Sequence, residues 1–340
     1  MNYHIIVYSF LLFFGLSCKK VKPLETEIDF PAAYVVNGKS NSISIINIEN
    51  DEVFAIAEFE KGTWPHHIST NVTKDKLVIS LVGIDLSGGH AGHAVASDSY
   101  LIVLNASDLK VIAFQKTNEV AHNAIFMNND TEIWLPQMKK EGVVLKLNAE
   151  NLKEIGSISV GNGPLEITKD VNGFYAFVCN GEGNSVSIID ASTSEVIKTI
   201  SVGTEPVGAW PASNNKMYVD CEVSKEIYEI DVATLEITDT IDLNFTPAYV
   251  AFNSVTSELW VTDTQNGGVH TYELIANQWV EISFLITGTG AHAITFNATQ
   301  TKAFITNQSA NTVSIVDANT FLKLKDIAVE NSPNGILILE

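Results

Sequence analysis

The sequence predicts an all-β fold, a seven-bladed β-propeller of four-stranded antiparallel blades whose C-terminal strand joins the N-terminal blade. Three observations carry this. A unit of about 42 residues recurs along residues 31–340, the self-similarity expected of a repeat architecture. Within each unit apolar and polar residues alternate with period two between Asn, Gly and Asp, which reads as short strands with tight turns. No stretch of helical periodicity competes with them.

The first segment is a targeting signal and not part of the fold. Residues 5–16 (IIVYSFLLFFGL) form an apolar run of twelve, too short to span a bilayer as a helix but long enough for a signal-peptide core. Ser17, Cys18, Lys19 and Lys20 follow. A small residue directly before a cysteine that closes an apolar core resembles the lipobox of bacterial lipoproteins. That resemblance implies a signal peptide over 1–17 and lipidation of Cys18. Gly15 stands where Leu is usual, and the residues before the core include His4 but no Lys or Arg. Residues 18–30 then read as a lipidated tether, which places the protein in the bacterial cell envelope, extracytoplasmic and held to a membrane by its lipid.

The units follow. Ser42–Asn47 (SISIIN), Ser185–Asp190 (SVSIID) and Thr312–Asp317 (TVSIVD) are one recurring segment, and Tyr34–Asn37, Phe177–Asn180, Trp260–Asp263 and Phe304–Asn307 are another. Each unit opens on a short string: PHHI at Pro65, AHNA at Ala121, PLEI at Pro164, PVGA at Pro206, PAYV at Pro247, AHAI at Ala291 and PNGI at Pro333. Their intervals are 56, 43, 42, 41, 44 and 42 residues. Four strands per unit, repeated radially, make a propeller. These units resemble the YVTN family of propeller repeats over residues 31–340. The first unit starts at its second strand and the last opening has nothing after it, so Pro333–Leu339 should complete the first blade and remove two free sheet edges. The long first interval reflects an insertion of about fifteen residues between Leu81 and Ser99, rich in Gly and Ser and carrying His90 and His93. Long loops in compact repeats are usually functional.

The seven units act as internal controls for one another. The residue after the opening Pro or Ala is His66, His122, Leu165, Val207, Ala248, His292 and Asn334. Three of seven are histidine in a chain with eight histidines. Propeller topology puts this position where the innermost strand begins, at one mouth of the central channel, and the insertion on the same face. His66, His67, His122, His292, His90 and His93 are therefore candidate metal ligands, since imidazole is a common ligand for Zn and Cu. Glu166, Glu205, Asp220, Glu222 and Asp263, acidic residues at neighbouring positions, could complete a metal shell or simply set a negative potential. His270 lies in a third strand and reads as structural.

Composition narrows the function. Forty Asp and Glu face twenty basic residues, a net charge of −20, so nucleic acid, whose binding rests on phosphate neutralisation, is not an expected partner. All twenty basic residues are lysine; mechanisms that need an arginine finger or bidentate arginine clamp are excluded. With Cys18 lipidated, Cys179 and Cys221 remain, either bridged or free. There is no CxxCH for c-type haem, and no GxSxG, P-loop, EF-hand or HExxH signature.

YVTN-like propellers are similar to the haem-binding propeller of nitrite reductase, the copper-cluster propeller of nitrous oxide reductase and periplasmic zinc metallochaperones. In the last two groups histidines at the channel mouth hold metal, which implies that role for His66, His67, His122 and His292. The lack of arginine removes the usual partners of a carboxylate-rich tetrapyrrole. The resulting expectation is a monomeric, lipid-anchored envelope propeller that binds Zn or Cu, with an envelope protein as a possible partner. The alternatives are a metal-free scaffold for protein or glycan, or a propeller enzyme, lactonase-like or an oxidoreductase.

Overall fold

In the computed structural model, which describes residues 21–86 and 99–340, the alternating segments become 28 strands, and every named element is a strand. Blade 1 holds β1 (Ala32–Asn37), β2 (Ser42–Asn47) and β3 (Glu52–Glu58), and blade 2 holds β4 (Pro65–Thr70), β5 (Lys76–Leu81), β6 (Tyr100–Asn105) and β7 (Val111–Lys116). Blade 3 is β8 (Ile125–Met127), β9 (Glu132–Gln137), β10 (Val143–Asn148) and β11 (Glu154–Ser159). Blade 4 is β12 (Pro164–Lys169), β13 (Tyr175–Asn180), β14 (Ser185–Asp190) and β15 (Glu195–Ser201). Blade 5 is β16 (Pro206–Ala212), β17 (Lys216–Cys221), β18 (Glu226–Asp231) and β19 (Glu236–Asp242). Blade 6 is β20 (Pro247–Asn253), β21 (Glu258–Asp263), β22 (Gly268–Ile275) and β23 (Gln278–Ile286), and blade 7 is β24 (Ala291–Phe296), β25 (Lys302–Asn307), β26 (Thr312–Asp317) and β27 (Leu322–Ala328). The last strand, β28 (Pro333–Leu339), returns to blade 1, where the order is β28-β1-β2-β3. The expected closure is present: Val35 pairs with Ile336 and Ala33 with Ile338, antiparallel.

Two polar devices explain the recurring sequence strings. The buried Asn ending a second strand donates its side-chain amide to hydroxyls on the third, as Asn180 Nδ2 does to Ser185 Oγ at 3.2 Å and Ser187 Oγ at 3.0 Å. Asn37 and Asn307 repeat this bond pair in blades 1 and 7. The Asn or Asp ending a third strand accepts from backbone N–H groups two and three residues on, as Asp317 Oδ1 does from Asn319 (3.0 Å) and Thr320 (2.9 Å). These are Asx turns, which favour a tight reversal into the outer strand.

Among the described residues, most buried apolar residues form seven clusters, one at each blade–blade interface, and an eighth, smaller cluster joins Val82, Val120, Leu165 and Val207 from successive blades. Val36, Ile43 and Ile45 meet Leu77, Ile79 and Ile102 between blades 1 and 2, and Phe304, Val313 and Ile315 meet Ala33, Val35 and Ile46 between blades 7 and 1. Alternation along each strand sends successive side chains to the two neighbouring interfaces. Trp134, Phe177, Tyr218, Trp260 and Phe304 are all buried at equivalent positions of second strands.

Within the segment read as a tether, residues 18–30, the chain is docked from Val21 onward. Val21 is buried and bridges Phe59, and the N–H groups of Leu24 and Ile28 donate to Asp108 O (2.9 Å) and Ser107 O (2.8 Å). Its few apolar residues, Val21, Leu24, Ile28 and Phe30, join the interface between blades 1 and 2. Cys18 and residues 1–17 lie outside the described residues.

Candidate metal centre

The innermost strands break strict alternation where they begin. In blade 2, Pro65 pairs with Leu81 and Ile68 with Ile79, so His66 and His67 together oppose one residue, Ser80. The same two-against-one step opens β12, β16, β20, β24 and β28. Such a bulge bends the strand and re-aims its side chains. It is why two successive residues, His66 and His67, reach one site instead of opposite faces. In blade 3 the string Ala121–Ala124 precedes the short strand β8, and His122 approaches from there.

Three of the predicted histidines converge. One ring nitrogen from each of His66, His67 and His122 lies within 4.8 Å of the other two. His66 Nε2 and His122 Nε2 are 3.0 Å apart, so in the metal-free state one imidazole donates and the other accepts. His66 and His122 are buried, and the His67 side chain is 11% exposed. A tetrahedral ion held at ~2.0–2.1 Å by each nitrogen separates ligand atoms by about 3.4 Å; here one pair stands at 3.0 Å and all three nitrogens lie within 4.8 Å of one another.

The fourth predicted ligand stands back. The His292 ring is centred 6.0 Å from His66 and 6.1 Å from His67, beside the trio and outside it. His90 and His93 lie outside the described residues. Asp263 does not join the site: it meets His270 Nε2 at 3.4 Å and Asn266 Nδ2 at 2.6 Å in blade 6. Among the acidic neighbours, Glu166 reaches the trio, with Oε1 3.0 Å from His67 Nε2 and 3.3 Å from His122 Nδ1.

Glu166 occupies the second bulge position of blade 4, the counterpart of His67 in blade 2. Of the five acidic residues that the sequence marks as able to complete a shell, it is the one that this bulge position brings to the histidines. Two neighbours fix the geometry. Asn123, next to His122, donates from Nδ2 to Ile167 O at 2.8 Å and accepts at Oδ1 from Ile167 N at 3.0 Å, clamping blade 3 to the residue after Glu166. Gly335, at the second bulge position of blade 1, packs against the backbone of blade 2: a Cβ there would lie 2.9 Å from His66 O and 3.0 Å from His67 Cα.

The next wall of the channel is acidic and aromatic. Trp210 donates from Nε1 to Asp220 Oδ1 at 2.6 Å, and its ring centre lies 3.5 Å from that of Tyr249. Gly208 makes this possible, since a Cβ would sit 2.3 Å from the Trp210 indole. Burial first, then Glu222 and more weakly Glu166, push the Asp220 carboxyl well above the usual carboxylate range, against the opposing indole bond. Cys179 and Cys221 are free and buried, which settles the open question of a bridge between them. Burial, aided by Asp220, raises both thiols, so neither is poised as a thiolate. At this end of the channel Val82, Leu86, Val120, Met138, Leu165 and Val207 form an apolar cluster with Trp64 and Ile84 packed on it. Its members flank His66, His122 and Glu166 in sequence, and these three residues are themselves buried.

Chemically, three imidazoles and one carboxylate make a nitrogen-rich donor set of the kind that suits Zn and Cu. No family model matches the chain, and no curated protein matches it. Solved structures do. A periplasmic gluconolactonase of Pseudomonas aeruginosa, PpgL, superposes with a TM-score of 0.72 at 13% identity, covering 91% of this chain and 99% of that one. A provisionally assigned 6-phosphogluconolactonase of Bacteroides fragilis gives 0.73 at 12% identity, covering 92% and 99%. The dihydro-haem d1 dehydrogenase NirN gives 0.64 at 10% identity, covering 90% and 74%. At these identities the likeness establishes the fold, a seven-bladed β-propeller, and function has to come from the site.

Proposed function

We propose that this protein is a metal-holding propeller of the bacterial cell envelope, anchored through lipidated Cys18, that binds one Zn or Cu ion at the end of its central channel. The observation that carries this is the convergence of His66, His67 and His122, buried or nearly so, from two consecutive blades. Imidazoles on a surface need no explanation. Buried imidazoles that converge on one another and on a carboxylate offer a donor set that a single cation can share. The YVTN-type repeat and lipobox readings of the sequence support the envelope location; replacing Cys18 with Ser should move the protein from the membrane to the soluble extracytoplasmic fraction.

The test is calorimetric and thermal titration of untagged protein with Zn(II) and Cu(II). A tight 1:1 isotherm is expected, with an unfolding midpoint that climbs with metal; at one hundred times the dissociation constant the stabilisation is about 2.7 kcal/mol. No heat and no midpoint shift with either ion would defeat the reading. A second reading, a lactonase-like enzyme, draws support from the gluconolactonase of similar fold and near-complete mutual coverage. A lactone hydrolysis screen with and without chelator addresses it: turnover abolished by chelator would join the two readings, and chelator-insensitive turnover would favour the enzyme alone.

A further inference from the structure

Glu166 is an anomaly as a buried carboxylate. It is 3% exposed, and the chain contains no arginine that might pair with it. Its Oε1 lies 3.0 Å from His67 Nε2 and 3.3 Å from His122 Nδ1, and among the described residues its Oε2 has no hydrogen-bond partner. The approach to His67 has the distance of an ion pair and not the alignment of a hydrogen bond, since His67 Nε2 has no hydrogen-bond partner. Burying a carboxylate without full compensation costs several kcal/mol, and a carboxylate 3.0 and 3.3 Å from nitrogens of two of the three converging imidazoles suits a cation held by the same cluster.

We infer that Glu166 is the fourth ligand of the metal, completing a closed set of three nitrogens and one oxygen. This rests on the metal-holding reading above and adds to it the charge and class of the ion. One carboxylate with three neutral imidazoles favours a divalent ion that accepts both nitrogen and oxygen, Zn(II) or Cu(II), over Cu(I), which prefers softer donors. Four protein ligands also leave no position for a reactive water, which is the mark of a structural or holding site and not of a catalytic one. The placement is built into the backbone. The bulge in β12 turns Glu166 into the channel, and the Asn123–Ile167 amide clamp beside it fixes blade 4 against His122.

The experiment compares Glu166→Gln, Glu166→Asp and, as a buried carboxylate control in the same channel, Asp220→Asn. Zn(II) affinity should fall at least about 100-fold in Glu166→Gln, more than the 10–100-fold typical of outer-shell partners, and by an intermediate factor in Glu166→Asp, which retracts the oxygen by one methylene. Asp220→Asn should stay within about threefold of the unsubstituted protein, and Cu(I) affinity should change little in Glu166→Gln. Co(II) provides a readout independent of affinity: the intense visible bands of a four-coordinate ion should appear with the unsubstituted protein and shift in Glu166→Gln. Unchanged Zn(II) affinity and an unchanged Co(II) spectrum in Glu166→Gln would overturn the assignment while leaving the histidine site standing. If the histidine variants also bound normally, the metal-holding reading itself would fall. Should Glu166→Gln fail to fold, Glu166→Asp decides, with unaltered affinity and spectrum counting against a ligand.

Discussion

His270 in blade 6 and the channel histidines belong to strands of one repeat, yet their surroundings differ in kind. His270 has a carboxylate for each ring nitrogen, Glu281 at 2.9 Å from Nδ1 and Asp263 at 3.4 Å from Nε2. Its ring stacks on Phe245 at 3.9 Å and on Phe284 at 4.3 Å. Every face and edge is engaged by groups suited to a histidine that is only structural. Among the described residues, His66, His67 and His122 instead crowd one another and the Glu166 carboxylate. The difference separates a histidine that the fold uses from histidines that the fold presents, and it can be broken or sharpened by substitution.

The largest effect should come from removing residues 333–340. That deletion exposes the β1 edge and takes Asn334 and Gly335 from behind His66, so both environments should be lost in an aggregating or steeply destabilised chain. A cooperative melt at the full-length midpoint would show that the ring closes otherwise. Next is the direct contrast. His122→Ala should weaken Zn or Cu binding at least about 100-fold, beyond the 10–100-fold of outer-shell losses, whereas His270→Ala should lower the melting midpoint and leave metal affinity unchanged. Equal losses of affinity in the two variants would erase the distinction. Gly335→Ala should weaken metal binding several-fold by forcing back the His66–His67 backbone, with His270 undisturbed; unaltered affinity would mean that this contact does not set the site.

The smallest expected effects are in pH. Metal binding requires neutral imidazoles, so affinity should decline on acidification. A flat profile between pH 5 and 8 would argue against nitrogen ligands. Asp220 acts on the stability of the metal-free chain. Its carboxyl is raised on folding by burial, so the folded state binds its proton more tightly than the unfolded state does. That contribution is present below the ordinary aspartate pKa near 4 and is lost as pH rises through the raised folded value. Asp220→Asn should therefore stabilise the metal-free protein modestly at neutral pH and not at pH 3. The opposite order would mean that the carboxylate is stabilised within the channel.

Much of this was legible before any coordinates. A repeat read seven times reports its own strands, and the missing first strand in blade 1 announced the closure by Pro333–Leu339. The histidine excess at one repeat position pointed to His66 and His122. What single-position comparison could not supply was the bulge, which lets two successive residues enter the channel and so makes Glu166 the partner of His67. His292 shares the repeat position but stands 6.0 Å from His66 between ring centres, because blade 1 lies between blades 7 and 2 while His66 and His122 come from adjacent blades. The docking of Val21, Leu24 and Ile28 was hidden because three scattered apolar residues have no period.

The most direct test of the central claim is the metal content of the full chain, purified without a tag and measured by elemental analysis beside a variant lacking His66, His67 and His122. The account predicts close to one Zn or Cu per chain in the first and almost none in the second. A chain free of metal even after incubation with Zn(II) and Cu(II), or the same stoichiometry in both proteins, would contradict it.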